Sequence, residues 1–178
     1  MDTKKLRQKI LDLAIRGKLV PQDPNDEPAS VLLERIKAEK ERLIKEGKIK
    51  RSKKTTKTSD TPHYENVPFE IPENWVWTDI ENICSKIGSG STPRGSNYSS
   101  KGIPFFRSQN IYNNGLVYED IKFISEDIHQ TMIGTEVLPN DLLLNITGGS
   151  LGRCAIVPAN FQRGNVSQHV CIMRPILI

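Results

Sequence analysis

The apolar residues of this chain change their spacing near residue 48, and that change limits the folds the chain can adopt. Up to residue 48 they recur at helical intervals, whereas from residue 65 onwards they form short runs separated by Gly, Pro, Asn and Ser. Runs of that length are typical of β-strands. The segment 49–64 has almost no apolar residues, as expected of a mobile linker. The sequence therefore predicts an α+β protein with three parts: a helical segment (1–48), a basic flexible linker (49–64) and a β-rich domain with a mixed or antiparallel sheet (65–178).

Two helices are predicted in the N-terminal segment. The first carries Leu6, Ile10 and Leu13 on one face and ends at Gly17. Prolines between residues 21 and 28 then interrupt helix formation, because proline lacks an amide donor, and a second helix is predicted to begin at 28–30. Its narrow stripe consists of Leu33, Ile36, Lys40, Leu43 and Gly47. Such a stripe is typical of helix–helix packing, and packing of both helices on the following domain is an equal alternative.

The runs of the β-rich domain give its expected elements. Two short helices are predicted, in DIENICSKIG (79–88) and in SEDIHQTM (125–132). Strands are predicted in IPFFRSQNI (103–111), LVYEDIKFI (116–124), DLLLNIT (141–147), CAIVP (154–158) and HVCIMRP (169–175).

Composition indicates a soluble, cytosolic protein that does not enter a membrane. Apolar residues make up 37% of the chain and charged residues 26%, and no apolar run approaches the roughly 18 to 20 residues that span a bilayer. Cys84, Cys154 and Cys171 are odd in number and form no Cys-x-x-Cys pair. This pattern indicates three reduced, buried thiols and neither a disulfide framework nor a zinc site, and no cofactor is expected.

The basic residues are concentrated in one place. Between Lys45 and Lys57 there are seven basic residues and one acidic residue, so this run alone exceeds the net charge of +4 of the whole chain. A run of this kind favours a solvated linker over a specific DNA-reading surface, although the second interpretation stays open. From Tyr64 onwards eight basic residues face eleven acidic ones, a net charge of −3.

The glycine-rich stretch NDLLLNITGGSLGR (140–153) predicts a strand followed by a turn. It lacks the Gly-Lys-Ser/Thr of a P-loop, and the spacing of Gly148, Gly149 and Gly152 does not match the dinucleotide fingerprint. The polar side chains at this turn suit the presentation of groups to a partner, and a purely structural hairpin is an equal alternative. A thiol nucleophile at Cys154 or Cys171 with His169 as its base has little support, because such a coincidence is unspecific. The sequence therefore indicates no catalytic site and no metal site.

Several motifs together resemble the specificity subunit of type I restriction-modification systems. LRQKILDLAIRGKLVPQDPNDEPASVLLERIKAEKERL (6–43) is similar to the helical spacer of that family, and PFEIPENWVW (68–77) to the entry of its target recognition domain. GSGSTPRGSNYSSKGIPFFRSQNI (88–111), NDLLLNITGGSLGRCAIVP (140–158) and GNVSQHVCIMRP (164–175) resemble its recurring segments in their usual order. Ser99 departs from the pattern, since an aromatic residue commonly follows the tyrosine at that position.

The resemblance implies a non-catalytic, DNA-reading subunit. Family members carry two recognition domains on antiparallel helices that dock methyltransferase subunits, and the complex includes a restriction/translocase subunit. This chain has one spacer segment and one recognition domain, so we expect a half-sized subunit that recognises one half of a bipartite target in double-stranded DNA. The alternative is a truncated interaction module that binds the methyltransferase, or another specificity subunit, without reading DNA. We further predict a homodimer through the stripe Leu33, Ile36 and Leu43, with folding-back of the first helix onto the stripe as the alternative.

Polar loop residues of the β-rich domain are the predicted DNA contacts, because Arg pairs with guanine edges and Asn or Gln with adenine edges. For Gln168 and His169 a structural role inside the domain is equally consistent with the sequence. The predicted DNA-binding residues are Thr92, Arg94, Asn97 and Tyr98 in a first loop, Arg107, Gln109 and Asn113 in a second, and Thr147, Ser150 and Arg153 at the glycine turn.

Overall fold

The computed structural model describes residues 2–51 and 69–176. The chain divides into two compact units, Met1–Ile83 and Cys84–Leu177. Most of the predicted linker, residues 52–64, lies outside the described residues. In the part of the chain that the structure describes, no helix combines the length and the apolar character that crossing a bilayer requires.

The first unit contains the two predicted helices, α1 (Thr3–Ile15) and α2 (Ala29–Lys45), followed by the short α3 (Ile80–Ile83). Both long helices end in the same way. Gly17 and Gly47 adopt φ values of 64° and 71°, and the next amide donates back to the carbonyl of Leu13 in α1 or of Leu43 in α2. This is the Schellman arrangement, for which glycine is preferred because it lacks a Cβ. The prediction that α1 ends at Gly17 is confirmed.

Residues 69–83 pack against the helices of the same unit. The indole Nε1 of Trp75 donates to Gln22 Oε1 at 2.9 Å, and the Arg16 guanidinium lies 5.0 Å from the centre of the Phe69 ring. Lys40, which interrupts the stripe of α2, donates to the backbone carbonyl of Glu81.

Burial differs between the two long helices of this unit. Ile36 of α2 is buried, and Leu33 and Leu43 are half-buried, whereas α1 has no buried residue. The exposed apolar side chains of the unit include four from α1, which are Leu6, Ile10, Leu11 and Ile15.

Within residues 84–176, which the structure describes, the second unit contains ten strands and α4 (Glu126–Thr131), and α4 confirms the helix predicted in SEDIHQTM. The strands are β1 (Cys84–Ser89), β2 (Ile103–Phe106), β3 (Ile111–Tyr112), β4 (Gly115–Leu116), β5 (Lys122–Ile124), β6 (Glu136–Val137), β7 (Leu142–Asn145), β8 (Cys154–Ile156), β9 (Gly164–Val166) and β10 (Val170–Pro175).

The strands of the second unit form three sheets. An antiparallel sheet has the order β1-β10-β7-β8, and β3 pairs with β4 in a hairpin. A mixed sheet has the order β5-β2-β9-β6, in which β2 and β9 are parallel. The main core draws on both large sheets, with Phe106 and Val166 from the mixed sheet and Leu143 and Ile172 from the antiparallel one. The α+β class predicted from the sequence is confirmed.

The structure corrects two predictions about these elements. The helix predicted over 79–88 covers only Ile80–Ile83. The residues from Cys84 onwards form β1 instead, because they pair with β10, with Gly88 opposite Ile172. Strands β6 and β9 were not predicted. All three cysteines were predicted to be buried, but only Cys84 is, while Cys154 and Cys171 are half-buried.

Candidate nucleic-acid interface

Four loops meet at one end of the antiparallel sheet of the second unit. β7 ends at Asn145, opposite Val170 where β10 begins, and β1 ends at Ser89, opposite Cys171. The loop after β1, the turn from β7 to β8 and the loop before β10 therefore emerge at the same end. The segment after β2 joins them through contacts of β3 with β7 and β8. We call residues 90–98, 107–113, 145–153 and 167–169 the rim.

The first rim loop is tied to the segment before β10. Gly90 donates its amide to the carbonyl of Val170 at 2.9 Å, and Ser91 donates to that of Val166 at 3.0 Å. A Cβ at residue 90 would lie 2.0 Å from the Val166 carbonyl oxygen, so only glycine permits this approach. The Thr92 hydroxyl donates to the side-chain oxygen of Gln168.

The glycine turn is fixed from both of its sides. Thr147 Oγ1 lies 2.8 Å from His169 Nδ1, and the buried Asn145 donates through Nδ2 to the Ser150 hydroxyl at 3.0 Å. The same Nδ2 donates to the carbonyl of Ser108 at 2.8 Å, which connects the turn to the second loop. Gly152 adopts a φ of 85° and closes the turn by donating to the Asn145 carbonyl at 2.9 Å.

The second loop contacts the far end of the glycine turn. Asn113 Oδ1 accepts from the amide of Cys154 at 3.0 Å. The Arg153 guanidinium lies over the ring of Tyr112, 4.3 Å from its centre. These contacts connect the three predicted loops, the first of them at Thr92. Further along the first loop, Arg94 and Asn97 lie beside Ile128, Thr131 and Met132.

The predicted contact residues differ in how free their side chains are. Asn97 and Gln109 are exposed. Tyr98 is half-buried, with its ring 5.6 Å from that of Phe105, and it packs against the second core cluster of the unit. Thr92, Asn113, Thr147 and Ser150 already make hydrogen bonds within the rim.

The three predicted arginines are held in three different ways. Arg94 is exposed and makes no hydrogen bond or ion pair within residues 2–51 and 69–176. Arg107 is half-buried and donates through Nη2 to the carbonyl of Asp120 at 2.8 Å, where Asp120 has a φ of 52°. Arg153 stacks on Tyr112 and, among the described residues, its guanidinium makes no hydrogen bond or ion pair.

The rim is positively charged although the chain from Tyr64 onwards is acidic. Its four segments contain three arginines and no carboxylate, a net charge of +3. The second unit, counted over 84–176, has eight basic and six acidic residues and a net charge of +2. The net charge of −3 counted from Tyr64 onwards is therefore due to acidic residues that lie before residue 84.

Three buried polar atoms of the rim have no hydrogen-bond partner among the described residues. They are Arg107 Nε, Asn145 Oδ1 and Ser167 Oγ. Buried polar groups in folded proteins are nearly always paired, and an unpaired one costs about 1–3 kcal/mol. The rim is thus the part of the described unit where hydrogen-bonding capacity is left over.

The arrangement gives no support to a thiol nucleophile. His169 Nδ1 is bonded to Thr147, and burial raises the pKa of the Cys154 thiol, which disfavours the reactive thiolate. In the part of the chain that the structure describes, no cluster of three or more His, Cys, Asp or Glu side chains could hold a metal ion. The geometry is that of a polar binding surface.

Sequence reasoning missed Tyr112 and left Gln168 and His169 as structural groups. Tyr112 follows a buried isoleucine in a two-residue strand, and nothing local indicates that its ring supports Arg153. Gln168 and His169 are adjacent and precede a strand, so their side chains can reach two different loops. This adjacency was a signal in the sequence that the pair connects loops.

No protein-family model matches the chain. Over 141 residues, or 79% of the chain, it is 40% identical to the type I restriction enzyme EcoAI specificity subunit of Escherichia coli, of which it covers 23%. Over 82 residues, or 46% of the chain, it is 56% identical to the EcoEI specificity subunit of Escherichia coli, of which it covers 13%. The chain thus spans less than a quarter of the length of these curated relatives.

Two solved structures are similar over most of the chain. A chain from a type I R-M system has a TM-score of 0.45 at 16% identity, with 96% of this chain and 36% of that chain covered. The HsdS subunit from Thermoanaerobacter tengcongensis has a TM-score of 0.43 at 15% identity, with 97% and 36% covered. In sequence, the chain is therefore similar to two specificity subunits of type I restriction enzymes, each of which it covers only in part.

Proposed function

We propose that this chain is a DNA sequence-specificity component of a type I restriction-modification complex and binds double-stranded DNA through the rim. One observation carries the proposal: four segments distant in sequence meet at one end of a sheet, with three arginines, no carboxylate and exposed polar side chains such as Gln109 and Gln168. DNA binding needs cations for the phosphates and donors and acceptors for the base edges, and the rim offers both. The component is non-catalytic and directs the chemistry of its partners.

The proposed division of labour follows the three parts of the sequence. Residues 1–48 form the spacer that docks methyltransferase subunits, residues 49–64 form a linker, and residues 65–178 form the recognition domain for one half of a bipartite target. A restriction/translocase subunit completes the complex. The relatives named as specificity subunits support this assignment.

The partners supply part of the affinity. A rim with a net charge of +3 neutralises few phosphates, and non-specific affinity rises with the number of phosphates neutralised. Methyltransferase subunits that surround the duplex provide the additional phosphate contacts. The rim then determines which sequence is held.

We also propose that the chain forms a homodimer through its helical unit, and the exposed side chains favour α1 as the contact. Ile36 of α2 is already buried, whereas Leu6 and Ile10 are exposed. Sedimentation equilibrium at micromolar concentration tests the dimer, with Leu6→Glu/Ile10→Glu expected to give a 20.1 kDa monomer. A wild-type chain that is itself monomeric contradicts the dimer.

Selection from a pool of duplex oligonucleotides with a randomised core tests DNA reading. The full chain, with and without methyltransferase subunits, is incubated with the pool at low ionic strength, where phosphate contacts are strongest, and the retained duplexes are sequenced. We expect an enriched motif, which is lost in Arg94→Ala/Arg153→Ala. The matched control, Lys101→Ala/Lys122→Ala, removes the same charge from exposed positions of the same unit outside the rim.

An unselective wild-type chain contradicts the proposal. Binding of methyltransferase subunits without enrichment of any sequence would instead support an interaction module. Equal loss of the motif in both double variants would show that net charge, and not the rim, governs binding.

A further inference from the structure

We propose that Arg153 is the base-reading arginine of the rim and that Tyr112 is the residue that positions it. This inference rests on the proposed DNA-reading function and assigns roles within it: Arg153 determines specificity at one position of the target, whereas Arg94 and Arg107 do not. It commits the site to a guanine, because bidentate donation to O6 and N7 is the commonest specific contact of arginine.

The geometry of the pair is the first argument. The Arg153 guanidinium lies 4.3 Å from the centre of the Tyr112 ring, within the range of a cation–π contact. Among the described residues nothing else binds the guanidinium, so all five of its N–H donors stay open. The ring thus fixes the plane of the guanidinium and leaves its N–H donors unbonded. A carboxylate partner would instead use those donors.

The support under Tyr112 is the second argument. Ile111 is fully buried in the main core and pairs with Leu116 across the β3–β4 hairpin. Asn113, on the other side of Tyr112, accepts from the amide of Cys154, directly after Arg153. Tyr112 and Arg153 are therefore each adjacent to a member of the same hydrogen bond, and their backbones cannot separate without breaking it.

The preceding loop residue adds to this support. Buried Asn110 donates through Nδ2 to the carbonyls of Val117 and Glu119, both at 3.0 Å. These bonds connect the start of the hairpin to the segment that follows it. A binding group on such a base loses little freedom when it meets its ligand, which favours selective contact.

The other two arginines lack this combination. Arg94 is exposed and has no partner within residues 2–51 and 69–176, so its side chain can follow a phosphate but is not oriented towards one base edge. Arg107 is held by the Asp120 carbonyl and its Nε is buried, so part of its fork faces the protein. Only Arg153 joins a fixed plane to a full set of free donors.

The selection from the randomised duplex pool decides the assignment when it is repeated with four variants of the full chain. Arg153→Ala removes the reader, Tyr112→Leu removes the aromatic face but keeps an apolar side chain, and Tyr112→Phe keeps the face. Tyr118→Leu is the matched control, because Tyr118 is an exposed tyrosine that contacts Phe106 edge-to-face and has no arginine on its ring. Thermal unfolding of each variant confirms that it is folded.

We expect Arg153→Ala to abolish a guanine preference at one position, a loss on the order of ten- to a hundredfold in discrimination. Tyr112→Leu should weaken the preference at that same position by about three- to tenfold, while Tyr112→Phe and Tyr118→Leu retain it. The effects of Arg153→Ala and Tyr112→Leu should not add in the double variant, because they act on one contact.

Two results overturn the inference while DNA reading stands: a wild-type motif that Tyr112→Leu leaves intact, or one that Tyr112→Leu and Arg153→Ala change at different positions. A wild-type chain that enriches no motif overturns the proposed function and this assignment together. Loss of the preference in Tyr112→Phe as well as Tyr112→Leu would show that the hydroxyl, not the stacked face, matters, and would also overturn it.

Discussion

Two polar regions of the second unit are built differently. One is the rim. The other is a group of polar side chains that bond to one another, which we call the cluster: Asp141, Arg174, His129, Asn165 and Glu136. In the cluster, fully buried Asp141 accepts from Arg174 Nε at 2.7 Å and from the amide of Leu138 at 2.8 Å. In the rim, Arg107 Nε, Asn145 Oδ1 and Ser167 Oγ are buried without a partner.

The difference indicates what each region does. Asn165 uses its amide on both sides, with Oδ1 at 2.6 Å from His129 Nδ1 and Nδ2 donating to the Met132 carbonyl at 3.0 Å. Such satisfied networks specify and stabilise a fold. The unpaired buried groups of the rim, by contrast, lower stability and do not hold the fold together. Changes in the cluster should therefore affect folding, and changes in the rim should affect DNA selectivity.

The largest effect is expected from Asp141→Ala. It removes the acceptor of the Leu138 amide and leaves Arg174 only its bond to the Glu136 carbonyl. Breaking a buried pair typically costs about 3–5 kcal/mol. Urea denaturation should show this loss in the free energy of unfolding. Asp127→Ala, at an exposed position on α4, is the control and should change it by less than about 0.5 kcal/mol. If both variants lowered the free energy of unfolding equally, the stabilising role of the cluster would be contradicted.

Asn165→Ala should have the next largest effect on folding. The change removes the partner of His129 and of the Met132 carbonyl, and leaving buried groups unpaired costs about 1–3 kcal/mol. The same denaturation experiment measures it. The DNA selection gives a second test, in which Asn165→Ala molecules that stay folded should keep the wild-type motif. An altered motif would show that the cluster also takes part in reading DNA.

Arg153→Ala should reverse the pattern seen in the cluster. The free energy of unfolding should fall by about 0.5–1 kcal/mol, the contribution of an exposed cation–π contact, whereas discrimination at one target position should fall by about 1–3 kcal/mol. Fluorescence anisotropy with the selected duplex and a duplex substituted at that position gives the second value. A larger loss in stability than in discrimination would place Arg153 with the structural groups.

Arg94→Ala should give the smallest effect. Loss of one phosphate contact weakens binding to selected and shuffled duplexes alike and reduces the slope of log affinity against log salt by about 1. A salt titration by anisotropy measures the slope. A loss confined to the selected duplex would mean that Arg94 reads a base, contrary to the assignment of that role to Arg153.

The fold was predictable where its signals are local. The periodicity of α1 and α2 predicts both helices, and Gly17 predicts the end of α1, because a Schellman turn depends on neighbouring residues. β9 was not predictable, since GNV is an unusual strand sequence and its three residues are buried between β2 and β6. Pairing with strands from distant parts of the sequence forms this strand, whatever its own propensity.

The site was predictable by residue type but not by arrangement. Polar residues after strands indicated three loops, which the structure connects through contacts of Thr92 with Gln168, Thr147 with His169 and Asn113 with Cys154. The sequence could not distinguish the three arginines, because what sets Arg153 apart is remote in sequence: Tyr112 lies 41 positions before Arg153, the same separation as that of Asn113 and Cys154. Contacts of that kind follow from the fold alone.

Backbone hydrogen exchange with and without DNA tests the central claim most directly, because it locates the contact without any substitution. The full chain is compared free and in the presence of the selected duplex at low ionic strength. We predict slower exchange in the rim segments 107–113, 145–153 and 167–169 and unchanged exchange around Asn165 and Asp141. Slower exchange confined to α2, with the rim unchanged, would contradict the account.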